Sequence, residues 1–187
     1  LIDDWTVNAQ STLAVGVGGG DGSVVLEGNA LLVLNQGLEF LSNGDLTSPL
    51  GSNALVTNLG NFRRDPAATG LSEIGVHFAD SSGTISTTSG TLSFLSGRTA
   101  TLTNSTLEVN ANGTLQFGGD TTIAGATTVA GSSVATVRFG GSNAEVALTG
   151  ALQNEFDAAD APSVVFAGEK FSGGTLNLQA GEGFFHA

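Results

Sequence analysis

The chain has 187 residues, 17 carboxylates against five lysines and arginines, a net charge of −12 and no cysteine. A surface this negative repels phosphate backbones and anionic lipid headgroups, so neither nucleic acid nor membrane insertion is expected. The missing cysteines rule out disulfides, thiolate metal centres and cysteine nucleophiles.

Apolar residues make up 40% of the chain, enough to bury a core. The 28 glycines, the scarcity of lysine and the absence of methionine favour strands and turns over helices. The chain starts with Leu1 and has no methionine, as expected for an exported protein after signal cleavage or for a piece of a longer polypeptide.

The first segment, Leu1-Ile2-Asp3-Asp4-Trp5-Thr6-Val7, mixes apolar residues with an acidic pair. Ser11-Thr12-Leu13-Ala14-Val15 and Asn29-Ala30-Leu31-Leu32-Val33 then introduce a motif: a small residue, Thr or Ala, Leu, any residue, and a second apolar residue. Alternation of this kind puts both apolar side chains on one face of a short strand. Between these two copies, Gly18-Gly19-Gly20-Asp21-Gly22-Ser23-Val24 is similar to a glycine-rich calcium turn. Such turns work by repetition and this one is single. Asp21 is therefore a calcium candidate set against the plainer reading of a flexible turn.

Residues 63–70, Arg63-Arg64-Asp65-Pro66-Ala67-Ala68-Thr69-Gly70, are predicted to form a surface loop between coils. On that reading Arg63 and Arg64 are available to contact a glycan or a surface. Val76-His77-Phe78 predicts an outward, solvated His77, because its neighbours belong inside.

The motif returns at Gly83-Thr84-Ile85, Gly90-Thr91-Leu92-Ser93-Phe94, Ser105-Thr106-Leu107-Glu108-Val109 and Gly113-Thr114-Leu115-Gln116-Phe117. Residues 153–162 form a more polar insertion with room for one helical turn. Glu155, Asp157 and Asp160 within it are further calcium candidates, although their spacing matches no EF-hand loop. The motif's last copy is Gly174-Thr175-Leu176-Asn177-Leu178, and the chain finishes Gly183-Phe184-Phe185-His186-Ala187.

The spacing sets the architecture. Ile85 to Leu92 is seven residues, Leu92 to Leu107 fifteen and Leu107 to Leu115 eight. Strands therefore start every seven or eight residues, and three of them close a coil of about 22 to 24 residues. The prediction is an all-β, right-handed parallel β-helix of about eight coils, roughly 40 Å long at one strand spacing per coil. An antiparallel β-sandwich is the alternative. It needs more hairpin dipeptides than Asp21-Gly22, Asn43-Gly44 and Asn112-Gly113 supply.

Residues 58–96 carry a longer order: Asn58-Leu59-Gly60-Asn61-Phe62, Ile74-Gly75-Val76-His77-Phe78-Ala79-Asp80, Ser82-Gly83-Thr84-Ile85 and Ser89-Gly90-Thr91-Leu92-Ser93-Phe94. This resembles the repeat of filamentous-haemagglutinin-like and autotransporter-passenger-like bacterial surface proteins. Phe171-Ser172-Gly173-Gly174-Thr175-Leu176-Asn177-Leu178 resembles the autotransporter-associated strand repeat. The resemblance implies a right-handed β-helix and a role in adhesion, surface display or extracellular matrix, with no catalytic residues to carry over. Ala79-Asp80 stands where such repeats often have asparagine, which shortens the inward asparagine ladder.

No constellation points to catalysis. His77 and His186 lack triad partners in sequence context. The acidic pair Asp3-Asp4 and the group Glu155, Asp157 and Asp160 are not interleaved with basic residues, as a polysaccharide-acting site requires. Thr84-Ile85-Ser86, Thr99-Ala100-Thr101 and Thr121-Thr122 would suit ordered water, but strand propensity explains them and no strict period joins them. Asn104-Ser105-Thr106 and Asn112-Gly113-Thr114 match the glycosylation sequon.

The expectation is one solenoid domain over residues 1–187, less regular over 1–50 and clearer over 51–187. It is expected to be a non-enzymatic extracellular structural protein, with no cofactor other than the calcium considered above. Self-association is assigned to Leu1, Ile2, Trp5, Phe184 and Phe185, whose apolar, uncapped ends suit end-to-end assembly into a fibre or matrix. The alternatives are an adhesin segment binding a glycan or a surface through its loops and, least favoured, a polysaccharide-acting enzyme.

Overall fold

The computed structural model describes residues 4–7, 13–16, 21–141, 144–154, 162–167, 170–173, 175–177 and 183–185. Short period-2 segments become strands, taken here three to a coil. The first coil holds β1 (Asp4–Val7), β2 (Leu13–Val15) and β3 (Ser23–Val25). The second holds β4 (Leu31–Leu34), β5 (Gly37–Phe40) and β6 (Asp45–Thr47), and the third β7 (Leu55–Asn58), β8 (Asn61–Arg64) and β9 (Leu71–Gly75). β10 (His77–Ser81), β11 (Thr84–Thr87) and β12 (Thr91–Phe94) make the fourth. The fifth comprises β13 (Ala100–Thr103), β14 (Thr106–Val109) and β15 (Thr114–Phe117).

β16 (Thr121–Ala124), β17 (Ala126–Gly131) and β18 (Thr136–Phe139) follow as the sixth. β19 (Glu145–Leu148), β20 (Ala151–Asn154) and β21 (Ser163–Phe166) form the seventh. The last comprises β22 (Lys170–Ser172), β23 (Thr175–Asn177) and β24 (Gly183–Phe185).

Every third strand pairs with the next, giving three sheets of eight strands. Sheet A runs from β1 to β22, sheet B from β2 to β23 and sheet C from β3 to β24. All strand pairings among the described residues are parallel, which makes the molecule a β-solenoid and sets the antiparallel sandwich aside. The six middle coils, β4 to β21, hold most of the described core.

Register turns the repeated motif into columns. Leu38, Phe62, Ile85, Leu107 and Val129 lie above one another inside sheet B. Inside sheet C the column is Leu46, Ile74, Phe94, Phe117, Phe139 and Phe166. The four phenylalanines stack nearly flat, with centroids 4.6, 5.1 and 5.5 Å apart and interplanar angles of 13°, 9° and 18°. These separations are close to the strand spacing of the sheet, so identical residues one coil apart can keep one rotamer and stay in contact.

On the outside, Thr84, Thr106 and Thr128 form one threonine column, and Thr91, Thr114 and Thr136 another. The first column follows a strict sequence period, and in the second a one-residue difference in coil length is absorbed at the corners.

The three dipeptides read as hairpin signals have another role. Asp21-Gly22, Asn43-Gly44 and Asn112-Gly113 each immediately precede a sheet C strand, at the corner between sheets B and C. Coils approach closely there: a Cβ on Gly44 would sit 2.2 Å from the Gly22 carbonyl oxygen. Gly90, at the same corner with φ of 64°, would place one 2.4 Å from the Gly70 oxygen. The carbonyls exposed by this approach serve the next coil, as where Thr91 N–H donates to Gly70 and Thr114 N–H to Gly90, both at 2.8 Å.

Candidate functional site

Two corners depart from the apolar pattern, and both were misplaced or only half read in the sequence. Residues 61–64 are strand β8, so the predicted loop shrinks to 65–70. Phe62 points inward, and the pleat carries Arg64, two residues on, inward as well. Arg64 is only 2% exposed. This corrects its assignment as a loop contact.

Its guanidinium spends its donors on protein acceptors: Nε to Ser72 Oγ at 3.2 Å, Nη1 to the carbonyls of Ala68 and Ser89, and Nη2 to Asn43 Oδ1 at 2.7 Å. Asn43 Oδ1 also accepts from Gly70 N–H at 3.0 Å. The cation thus ties loop 65–70 to the coils on either side. Burial lowers its pKa from the ordinary arginine value, but a guanidinium remains charged in proteins.

The second polar corner lies between sheets A and B. In the inner column Leu34, Asn58, Asp80, Leu102, Ile123 and Leu148, two polar residues interrupt the apolar series. Asn58 is fully buried and Asp80 is 1% exposed. Asn58 Nδ2 donates to Asp80 Oδ1 and, at 3.0 Å, to the Gly60 carbonyl; Gly83 N–H donates to Asp80 Oδ2 at 3.2 Å. The inward asparagine ladder is therefore two rungs long, with aspartate as its second rung.

Burial raises the Asp80 carboxyl above its ordinary range, opposed by the donors around it. Ser105 belongs to the same corner, where its buried hydroxyl lies close enough to the Asp80 carboxyl to help hold its pKa down, though short of strict hydrogen-bond geometry.

A third feature was invisible in the sequence. The corner between sheets C and A is a single residue, Val76, in the third coil, but loops of several residues in the second and fourth. Arg98, from the loop after β12, reaches across the gap to the loop after β6. It donates to the carbonyls of Ser52 at 2.7 Å, Pro49 at 3.0 Å and Ser48 at 3.2 Å. These partners lie 46 to 50 residues away in sequence.

The clamped loop presents Leu50, which is completely exposed. Arg98 also lines a notch of about 380 Å³, together with the corner residues Gly118, Gly119 and Asp120 of the next coil. Asp120 Oδ1 is used there to accept Glu145 N–H at 2.9 Å, so the notch's carboxylate already has a structural partner.

Arg63 faces outward and is half-exposed, with Nη2 2.9 Å from Glu39 Oε1 of the coil before. His77 faces outward as expected, and its Nδ1 meets Thr99 Oγ1 at 2.9 Å. Asp21 is exposed beside β3. Glu155, Asp157 and Asp160 lie outside the described residues, as do Leu1 and Ile2. Among the described residues, no three His, Cys, Asp or Glu side chains gather as a metal site would require.

Trp5 lies in β1, and Phe184 and Phe185 lie in β24, strands at opposite ends of the stack. Among the described residues, β1, β2 and β3 at one end of the sheets and β22, β23 and β24 at the other pair on one side only. Comparison of the chain with protein-family models, curated proteins and solved structures gave no match.

Proposed function

We propose that the chain is an extracellular structural rod that extends end to end through its open sheet edges, as a fibre or matrix subunit. The observation that carries this reading is that all three sheets stack coil on coil in parallel, so that each coil is a template for the next. A strand paired on one side presents unpaired N–H and C=O groups that can template another strand. Three such edges closing a triangle would be continued by one further coil of the same kind. A second copy supplies that coil through a head-to-tail contact, which propagates without closing.

Trp5 at one end and Phe184 and Phe185 at the other are the proposed apolar contacts. Sedimentation velocity across a concentration series tests the reading: mass that climbs with concentration supports it, and one monomer boundary at every concentration defeats it.

A second reading, an adhesin segment binding a glycan or a surface, is favoured by the two braced loops. Arg64 holds loop 65–70 from within and Arg98 holds the loop bearing Leu50, so both present fixed surfaces at little further ordering cost. Its test uses Arg63 alone, since Arg64 is internal. Arg63→Ala weakens glycan or surface binding on this reading and leaves sedimentation unchanged.

A further inference from the structure

The chain contains two asparagine–glycine dipeptides, Asn43-Gly44 and Asn112-Gly113, at the same corner of the solenoid but three coils apart. Their surroundings are opposite. Asn43 is partly buried, and its carboxamide oxygen is fixed by Arg64 Nη2 at 2.7 Å and Gly70 N–H at 3.0 Å. Asn112 is exposed in a turn that follows Ala111, whose φ is 47°, and its side chain makes no hydrogen bond among the described residues. The turn is closed by Gly113 N–H donating to the Asn110 carbonyl at 3.0 Å.

We propose that Asn112 is a site of spontaneous deamidation, and that the Arg64 network protects Asn43 from the same reaction. Once its hydrogen bond to the Asn110 carbonyl opens, the Gly113 amide nitrogen gives its proton to water and attacks Asn112 Cγ. The side-chain nitrogen takes a proton from water, its bond to Cγ breaks, and ammonia leaves behind a five-membered succinimide. Water then opens the ring at either carbonyl, producing aspartate or isoaspartate. Glycine suits the step because no side chain on the attacking residue obstructs the ring. At Asn43 the reaction requires a carboxamide released from two donors, which happens only when that corner opens.

The site matters for the coil stack. Gly113 O accepts from Thr136 N–H at 3.1 Å, and Thr114 N–H donates to Gly90 O at 2.8 Å. Isoaspartate inserts a methylene into the backbone just before these two attachments, which share one peptide unit, and adds a negative charge to a chain already at −12. The product marks aged molecules and loosens one corner.

The test is peptide mapping by mass spectrometry, with isoaspartate detection, after incubating the full chain at mildly alkaline pH in buffer and in concentrated urea. In buffer, Asn112 should convert at least about tenfold faster than Asn43, and in urea the two rates should converge, because only folding distinguishes them. Equal rates in buffer, or a rate difference that survives unfolding, would overturn the proposal. Asn112→Gln should abolish the conversion in that peptide; its persistence would place the reaction elsewhere and would equally refute the assignment.

Discussion

Arg64 and Asp80 are the two charged side chains buried in the described core, and they occupy consecutive coils at different corners. Arg64 has four acceptors and no carboxylate beside it, whereas Asp80 has two donors in contact and no cation among its hydrogen-bond partners. The difference lies in what each group can do when desolvated. A guanidinium cannot shed its charge, so the fold must surround it with carbonyl and hydroxyl oxygens. A carboxyl can take up a proton, so burial that its donors only partly offset shows as a raised pKa. The arginine corner is thus a fixed brace, and the aspartate corner responds to pH.

Removing the brace should produce the largest effect. Arg64→Ala removes one of the two donors from Asn43 Oδ1 and from the carbonyls of Ala68 and Ser89, and opens a cavity at the corner. A loss of roughly 3–5 kcal/mol in urea unfolding is expected. A loss under 1 kcal/mol would mean that water replaces the guanidinium.

Arg98→Ala should come next, at about 1–2 kcal/mol, because its three carbonyl partners are only part-buried or exposed. Hydrogen exchange should accelerate in residues 48–52 more than in the neighbouring strands. Uniform exchange across the coil would show that the loop does not depend on the clamp.

Asp80→Asn sharpens the other half of the comparison. Because the folded carboxyl has a raised pKa, its contribution is fully present below the unfolded value and lost as pH rises through the folded one. The wild type therefore gains relative to Asp80→Asn as pH falls through that window. The variant should match or exceed the wild type at pH 7, and the difference should close toward the ordinary carboxylate range. Urea midpoints for both proteins at neutral and mildly acidic pH measure this, and a difference independent of pH would refute it.

Arg63→Ala should change least. The exposed pair with Glu39 is worth about 1 kcal/mol or less, so a larger loss would show that the outer face of β8 has a structural role of its own.

How much of this was readable beforehand depends on distance along the chain. The recurrent Thr-Leu-x-apolar motif gave parallel, in-register strands, because period-2 patterning and identical flanking residues are local signals that stacking preserves. Arg64 and Asp80 were readable by the same rule, two residues after the inward Phe62 and Phe78. The reading failed at Arg64 because an Arg-Arg-Asp-Pro run suggests a loop more strongly than alternation suggests a strand. The hairpin-like dipeptides were recognised as turns, but their shared corner became visible only with the register. Arg98 gave no local signal: its partners lie two coils away, and the gap it spans exists because one corner is a single residue.

In the proposed assembly, parallel edges continue from molecule to molecule. Negative-stain electron microscopy of the purified chain over a concentration series, followed by fibre diffraction of whatever assembles, tests it most directly. End-to-end growth gives filaments of one coil's width, with a reflection along the fibre axis near the ~4.8 Å strand spacing. Separate short particles at every concentration, or fibres whose strand spacing runs across the axis, would contradict it.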